Sequence, residues 1–154
     1  MAEVRDISRA AEPLQQFWAQ LQVLEPPFPV LYYQLGETYR GQAEQEAALA
    51  RGASAAGWLS SPHNFEPSRA LDVYPIIPTD RGPEVSNDPA HYAQIVELAD
   101  NQFLISGAGF NDYPHVQLPD WRNYSTPIAK KKSLLPWALL ALAASAAIAW
   151  MNRK

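Results

Sequence analysis

The chain contains no cysteine. Disulfides, thiolate nucleophiles and every cysteine-held zinc site are thereby excluded, and any metal has to be held by imidazole and carboxylate groups. Histidine is scarce as well, with three in 154 residues, so the place of each one is informative. Positive charge is thin over most of the length. Five of the 12 basic residues (Lys130, Lys131, Lys132, Arg153 and Lys154) cluster near the C-terminus, which leaves 7 basic against 16 acidic side chains in residues 1–129, a net charge of −9. Nucleic acid is bound through clustered cations and counterion release, so a domain this acidic argues against a nucleic-acid partner. The start, MAEVRDISRA, has neither a basic region followed by an apolar one nor a small-residue cleavage site, and no secretory signal is expected.

One long apolar run is present. From Leu134 to Met151 eighteen residues pass without a charge, between Lys130-Lys131-Lys132 and Arg153-Lys154. A helix of that length rises about 27 Å, close to the roughly 30 Å hydrocarbon layer of a bilayer. Trp137 and Trp150 lie near its ends, where indoles favour the headgroup region. We therefore expect a transmembrane helix over 134–151, a basic linker over 126–133 and one soluble domain over 1–125. A buried C-terminal core helix is the rival reading, and orientation across the membrane stays open because the flanking charges are nearly balanced.

The soluble part shows mixed periodicities. Val4, Ile7, Ala11, Leu14, Phe17, Trp18 and Leu21 recur at helical spacing, with an interruption expected near Pro13. Glu25 to Pro29 is too proline-rich for a helix, Val30 to Gln34 reads as a strand, and 41–51 as a second helix. A loop follows from Gly52 to about Arg69, then a buried strand from Ala70 to Ile77 and a polar loop through Pro78, Gly82, Pro83 and Asn87. A third helix is expected over Pro89 to Ala99 with Asp88 as its N-cap, and short strands at Phe103 to Ile105 and His115 to Leu118. This pattern predicts an α+β domain, a small antiparallel sheet flanked by helices.

Two of the three histidines stand in compact polar motifs, Ser61-Pro62-His63 through Ala70-Leu71-Asp72, and Asp112-Tyr113-Pro114-His115. His63, Asp72 and His115 form a set of two imidazoles and one carboxylate, which fills three tetrahedral positions on zinc and leaves a fourth for water. Asp112 need not be a ligand and is free to act as a base. Spacing alone does not separate this reading from one in which the histidines are merely solvated or structurally satisfied. His91, on the third helix, reads as a surface or structural residue, and Tyr113 and Trp121 as cleft wall or core.

The order of these motifs resembles the D-alanyl-D-alanine carboxypeptidases and phage endolysin peptidases, relatives of the dipeptidases that confer vancomycin resistance. That family carries S-x-H, A-x-D and a D/E-x-x-H pair, preceded by Y-R and a helix containing glutamine. Here the matching residues are Ser61 and His63, Ala70 and Asp72, Asp112 and His115, and Tyr39-Arg40 with Gln45, over roughly residues 30–121. The chain departs from the pattern in three ways: His63 and Asp72 are nine apart rather than seven, the glycine common in the first motif is missing, and Asp112 stands where several relatives have glutamate.

The resemblance implies a Zn2+ peptidase acting on bacterial peptidoglycan, either within the L-Ala-D-Glu stem or at a D-Ala terminus. It implies a phage-type enzyme of host cell-wall lysis or penetration. Asp112 would then be the general base. Arg40 would stabilise the oxyanion or bind a substrate carboxylate, unless it is an ordinary ion-pair partner. Ser61 would bind substrate or orient the His63 loop. Two other classes compete, a membrane-anchored structural component of a virion and a non-catalytic zinc-binding module of the same fold. The anchor would place the protein on the host inner membrane or a virion membrane, facing the periplasmic wall.

Overall fold

The computed structural model describes residues 5–125. The expected linker and transmembrane helix lie outside the described residues, among which no helix is long and apolar enough to cross a membrane. Three α-helices, α1 (Glu12–Leu21), α2 (Gln42–Ala50) and α3 (Ala93–Asn101), accompany five strands, β1 (Tyr32–Leu35), β2 (Ala70–Thr79), β3 (Gly82–Val85), β4 (Ile105–Ser106) and β5 (His115–Gln117). The α+β expectation with a small antiparallel sheet is met.

β2 is the spine of that sheet. Its inner half alternates Leu71 and Val73 into the core, and its ten residues are long enough to serve several partners. One edge takes β1, with Leu35 opposite Val73. The other edge takes β5 and then β3, with Asp72 opposite His115 and Ile76 opposite Val85. β4 adds to β5, and every pair is antiparallel. Leu14, Phe17 and Leu21 of α1 and Ile95 and Ala99 of α3 pack with Leu71, Val73 and Val116 in one cluster that Leu118 and Trp121 complete. Full burial of each large side chain contributes about 1.5–3 kcal/mol.

Three details differ from the sequence expectation. Pro13 does not interrupt α1; it sits in the first turn, where its missing N–H is one of the helix's unpaired donors in any case. The break lies before it, where Ala10 is extended and bridges Ser68. The polar loop after Ile77 is instead a hairpin, because β2 runs on to Thr79 and turns through Gly82, whose φ of 108° suits glycine. The third helix begins as a 3-10 turn over Pro89–Tyr92 before α3, and the Asp88 side chain caps it by accepting from the Ala90 N–H.

Candidate metal centre

The register of β2 against β5 brings two of the three predicted ligands together directly, since Asp72 and His115 are cross-strand partners. The third comes from a 3-10 turn, Pro62–Asn64. There the Ser61 hydroxyl accepts from the His63 N–H while the Asn64 side-chain oxygen accepts from the Ser61 N–H. This reciprocal cap gives the loop a fixed geometry. Ser61 is itself buried, so its visible role is to orient His63.

His63 Nε2 lies 3.2 Å from His115 Nδ1, His63 Nε2 lies 3.5 Å from Asp72 Oδ1, and His115 Nδ1 lies 3.3 Å from Asp72 Oδ1. Two ligand atoms each about 2.0–2.1 Å from a shared ion at the tetrahedral angle stand about 3.3 Å apart. All three edges of the triangle match that spacing. The three side chains together can hold one metal ion.

The imidazoles are also held in the orientation that ligation requires. His63 Nδ1 is 2.8 Å from the Thr38 carbonyl oxygen, which can only accept, so Nδ1 carries the proton and the Nε2 lone pair faces the triangle. His115 Nε2 is 2.9 Å from Gln117 Oε1, which places its proton on Nε2 and its lone pair on Nδ1. Outer partners of this kind fix the tautomer of metal-ligating histidines. Three lone-pair groups thus converge on one point, and electrostatics there favours a cation. Burial disfavours the ionised forms of His63 and Asp72, yet in the metal-free centre their mutual attraction outweighs it, helped on the His63 side by the hydrogen bond to the Thr38 carbonyl. The His63 pKa is raised and the Asp72 carboxyl is held well below the usual carboxylate range.

The span between His63 and Asp72 is pinned along its length, with Ser68 fully buried and its charged side chains engaged away from the triangle. Glu66 pairs with Arg9 at 2.9 Å, while the Arg69 guanidinium lies 3.9 Å over the Phe65 ring and donates to the Trp121 carbonyl. Trp121 belongs to the core and packs at a tilt against Phe65, and Tyr113 packs on Tyr92. His91 is structural, with Nδ1 2.6 Å from the Ser86 hydroxyl.

The triangle opens on a cleft of about 540 Å³ whose lining includes Glu37, Arg40, Arg51, Asp112, Phe110 and Gln117. Asp112 is exposed on its wall and stands outside the ligand triangle. It is tied to the third ligand through the His115 N–H, which donates to the Asp112 carbonyl at 3.1 Å. Arg40 has an ion-pair partner that precedes it in the chain and is not on the following helix: its guanidinium donates to the Glu37 carboxylate, while a 3.3 Å hydrogen bond reaches Gln45 on α2.

Sequence reasoning missed several supports. Thr38 acts through a backbone carbonyl and leaves no sequence signal. Glu37 and Asn64 were not singled out. Gln117 was findable, since a residue two beyond a strand ligand points to the same face. Gln45, noted only as a motif marker, is a fully buried hub. Its amide donates to Ser54 Oγ at 2.9 Å and to the Ala56 carbonyl, and its oxygen accepts from Asn64 at 3.0 Å.

Fold and centre together define a small α+β domain carrying two imidazoles and a carboxylate at the foot of an open cleft. Among solved structures, the chain is similar to the Serratia marcescens L-Ala D-Glu endopeptidase ChiX, with a TM-score of 0.50 and 23% sequence identity over 75% of this chain and 90% of that one. This likeness shows a shared fold. Neither a protein-family model nor a curated protein sequence matches the chain.

Proposed function

We propose that this protein is a zinc-dependent peptidase of bacterial cell-wall peptides that cuts the amide between L-Ala and D-Glu. The observation that carries the reading is the triangle of His63, Asp72 and His115 ligand atoms, 3.2–3.5 Å apart at the edge of an open cleft. The shared fold with an L-Ala D-Glu endopeptidase supports that bond over a terminal D-Ala. Motif order supports a phage-type enzyme of wall lysis or penetration, with residues 134–151 as its membrane tether; protease protection in vesicles tests that topology.

His63, Asp72 and His115 would hold the ion. Zinc, when bound, supplies Lewis acidity that brings the pKa of a water from 15.7 toward about 7. Asp112 accepts the proton of the attacking water and returns it to the leaving amine, a shuttle worth about 10²–10⁴ in rate. Arg40, fixed by Glu37 and Gln45, presents a charge that persists at any working pH beside the scissile carbonyl. Ser61 and Asn64 keep His63 in register.

Digestion of purified peptidoglycan, followed by mass analysis of the fragments, tests the reading. New L-Ala C-termini and D-Glu N-termini are expected, abolished by a chelator and restored by Zn2+. Intact wall after incubation with the zinc-loaded protein, or cleavage indifferent to chelation, refutes it.

A further inference from the structure

Part of the cleft wall is built by the end of α2 and the segment that follows it. Arg51, Ala53, Ser54, Ala55 and Ala56 all line the cavity. This segment has little to hold it by packing, because α2 buries only Gln45 and Ala48. It is held by polar contacts instead: Gln45 Nε2 binds Ser54 Oγ and the Ala56 carbonyl, and the Ala56 N–H donates back to Ser54 Oγ at 3.2 Å. The small side chains leave room for a ligand, and the buried amide fixes the wall that carries Arg51.

Accounting for the cations isolates Arg51. Arg5 is engaged in an interaction, Arg9 pairs with Glu66 and lies over Tyr39, Arg69 lies over Phe65, Arg81 pairs with Glu84, and Arg122 lies over Trp121. Arg40, the other cation of the cleft, is committed to Glu37. Arg51 is exposed at the cleft and, among the described residues, has no carboxylate partner and no ring beneath it. An arginine fork matches a carboxylate in two parallel hydrogen bonds. A γ-linked D-Glu residue keeps its α-carboxylate free one position beyond the bond proposed to be cut.

We propose that Arg51 is the specificity residue of this cleft and binds the free α-carboxylate of the residue on the leaving side of the scissile amide. The inference rests on the peptidase reading for its substrate and on the cation accounting for its residue. It makes the protein selective for wall peptides with an unmodified D-Glu over those in which the α-carboxylate is amidated.

The test uses the zinc-loaded full chain with two synthetic stem peptides, one with the free α-carboxylate and one with the carboxamide, measured both for cleavage and for equilibrium binding by calorimetry. Wild type is expected to favour the carboxylate by about 10- to 100-fold in KM, the range of one charge-assisted hydrogen bond, with kcat little changed. Arg51→Gln should lose the preference, and Arg51→Lys should keep part of it. If wild type cleaves neither peptide yet binds the carboxylate form preferentially through Arg51, the subsite stands and the peptidase reading falls. If Arg51→Gln, folded by its melting curve, keeps the wild-type preference, or if wild type does not distinguish the two peptides, the proposal is overturned.

Discussion

Gly107 offers the sharpest test of how the centre is positioned. It opens the 3-10 turn Gly107–Phe110 between β4 and β5, is buried, and accepts the Asp112 N–H at 2.9 Å. A Cβ built at this position would meet the Asp112 carbonyl oxygen at 1.9 Å and His115 Cβ at 2.8 Å. The first obstacle is backbone, so no side-chain rotation relieves it, and the segment joining the proposed base to the third ligand has to move. Overpacking of this kind costs about 1–3 kcal/mol, and loss of the Asp112–Gly107 hydrogen bond adds about 1 kcal/mol. Gly107→Ala should therefore cost about 2–4 kcal/mol, lowering Tm by roughly 6–20 °C for a domain of this size. Because the displaced atoms belong to the site, zinc affinity and turnover should fall even at temperatures where the variant is folded. Gly109 supplies the control: it lies in the same turn, yet an added Cβ there meets nothing within 4 Å, so Gly109→Ala should stay within about 0.5 kcal/mol of wild type. Melting curves with and without Zn2+, together with calorimetric zinc titration, read both effects. Equal behaviour of the two alanine variants, or a Gly107→Ala protein with wild-type melting and zinc affinity, would falsify the reasoning.

Asp112→Asn should retain zinc within a few-fold while losing about 10²–10⁴ in turnover, as expected of a proton shuttle; loss of zinc in parallel would make Asp112 a ligand instead. Gln117→Ala removes the acceptor that fixes the His115 tautomer, and zinc affinity should drop about 10- to 100-fold with little change in melting of the metal-free protein. Burial pushes the Tyr33 phenol up to about 12, where its hydroxyl donates to Gln94 Oε1 at 2.7 Å. Between pH 10 and about 12 the unfolded chain gives up this proton while the folded one keeps it, so stability falls as pH rises through that window and is unaffected by this group below it. Denaturant midpoints at pH 9 and pH 11 should show the advantage of wild type over Tyr33→Phe shrinking at the higher pH, and a constant gap would contradict the assignment.

How far the fold was legible follows from where burial writes a pattern. α1 and α3 pack one face against the sheet, and their apolar spacing is plain. Asp88 before Pro89 marks a helix start for the same reason that it caps one. β3 has no fully buried residue and contains Pro83, so neither alternation nor strand propensity exposes it; it exists because β2 runs on and gives it an edge to pair with. α2 is weakly patterned because its central buried residue, Gln45, is polar. A buried glutamine is stable only with its partners satisfied, and those partners lie on Ser54, Ala56, Asn64 and Arg40, distant enough along the chain that no local window contains them.

The site shows the same division between what residue type announces and what pairing decides. His63, Asp72 and His115 could be proposed because two imidazoles and a carboxylate are a recognisable ligand set, but nothing in their spacing of nine and forty-three residues says that they meet. Meeting depends on strand register: a slip of one residue between β2 and β5 would turn one ligand to the opposite face of the sheet. The register is held at both sides of the Asp72–His115 pair. Leu71 and Val116 are cross-strand partners with both side chains in the core, and the Val73 N–H donates to the Pro114 carbonyl at 2.8 Å. The apolar core therefore acts on the chemistry by fixing which residue faces which, and the polar ligands ride on that alignment. A core substitution such as Val116→Ala is then expected to lower zinc affinity as well as stability, although Val116 touches no ion. Calorimetric zinc titration below the melting transition separates the two, and an unchanged affinity would place the alignment in the backbone hydrogen bonds alone.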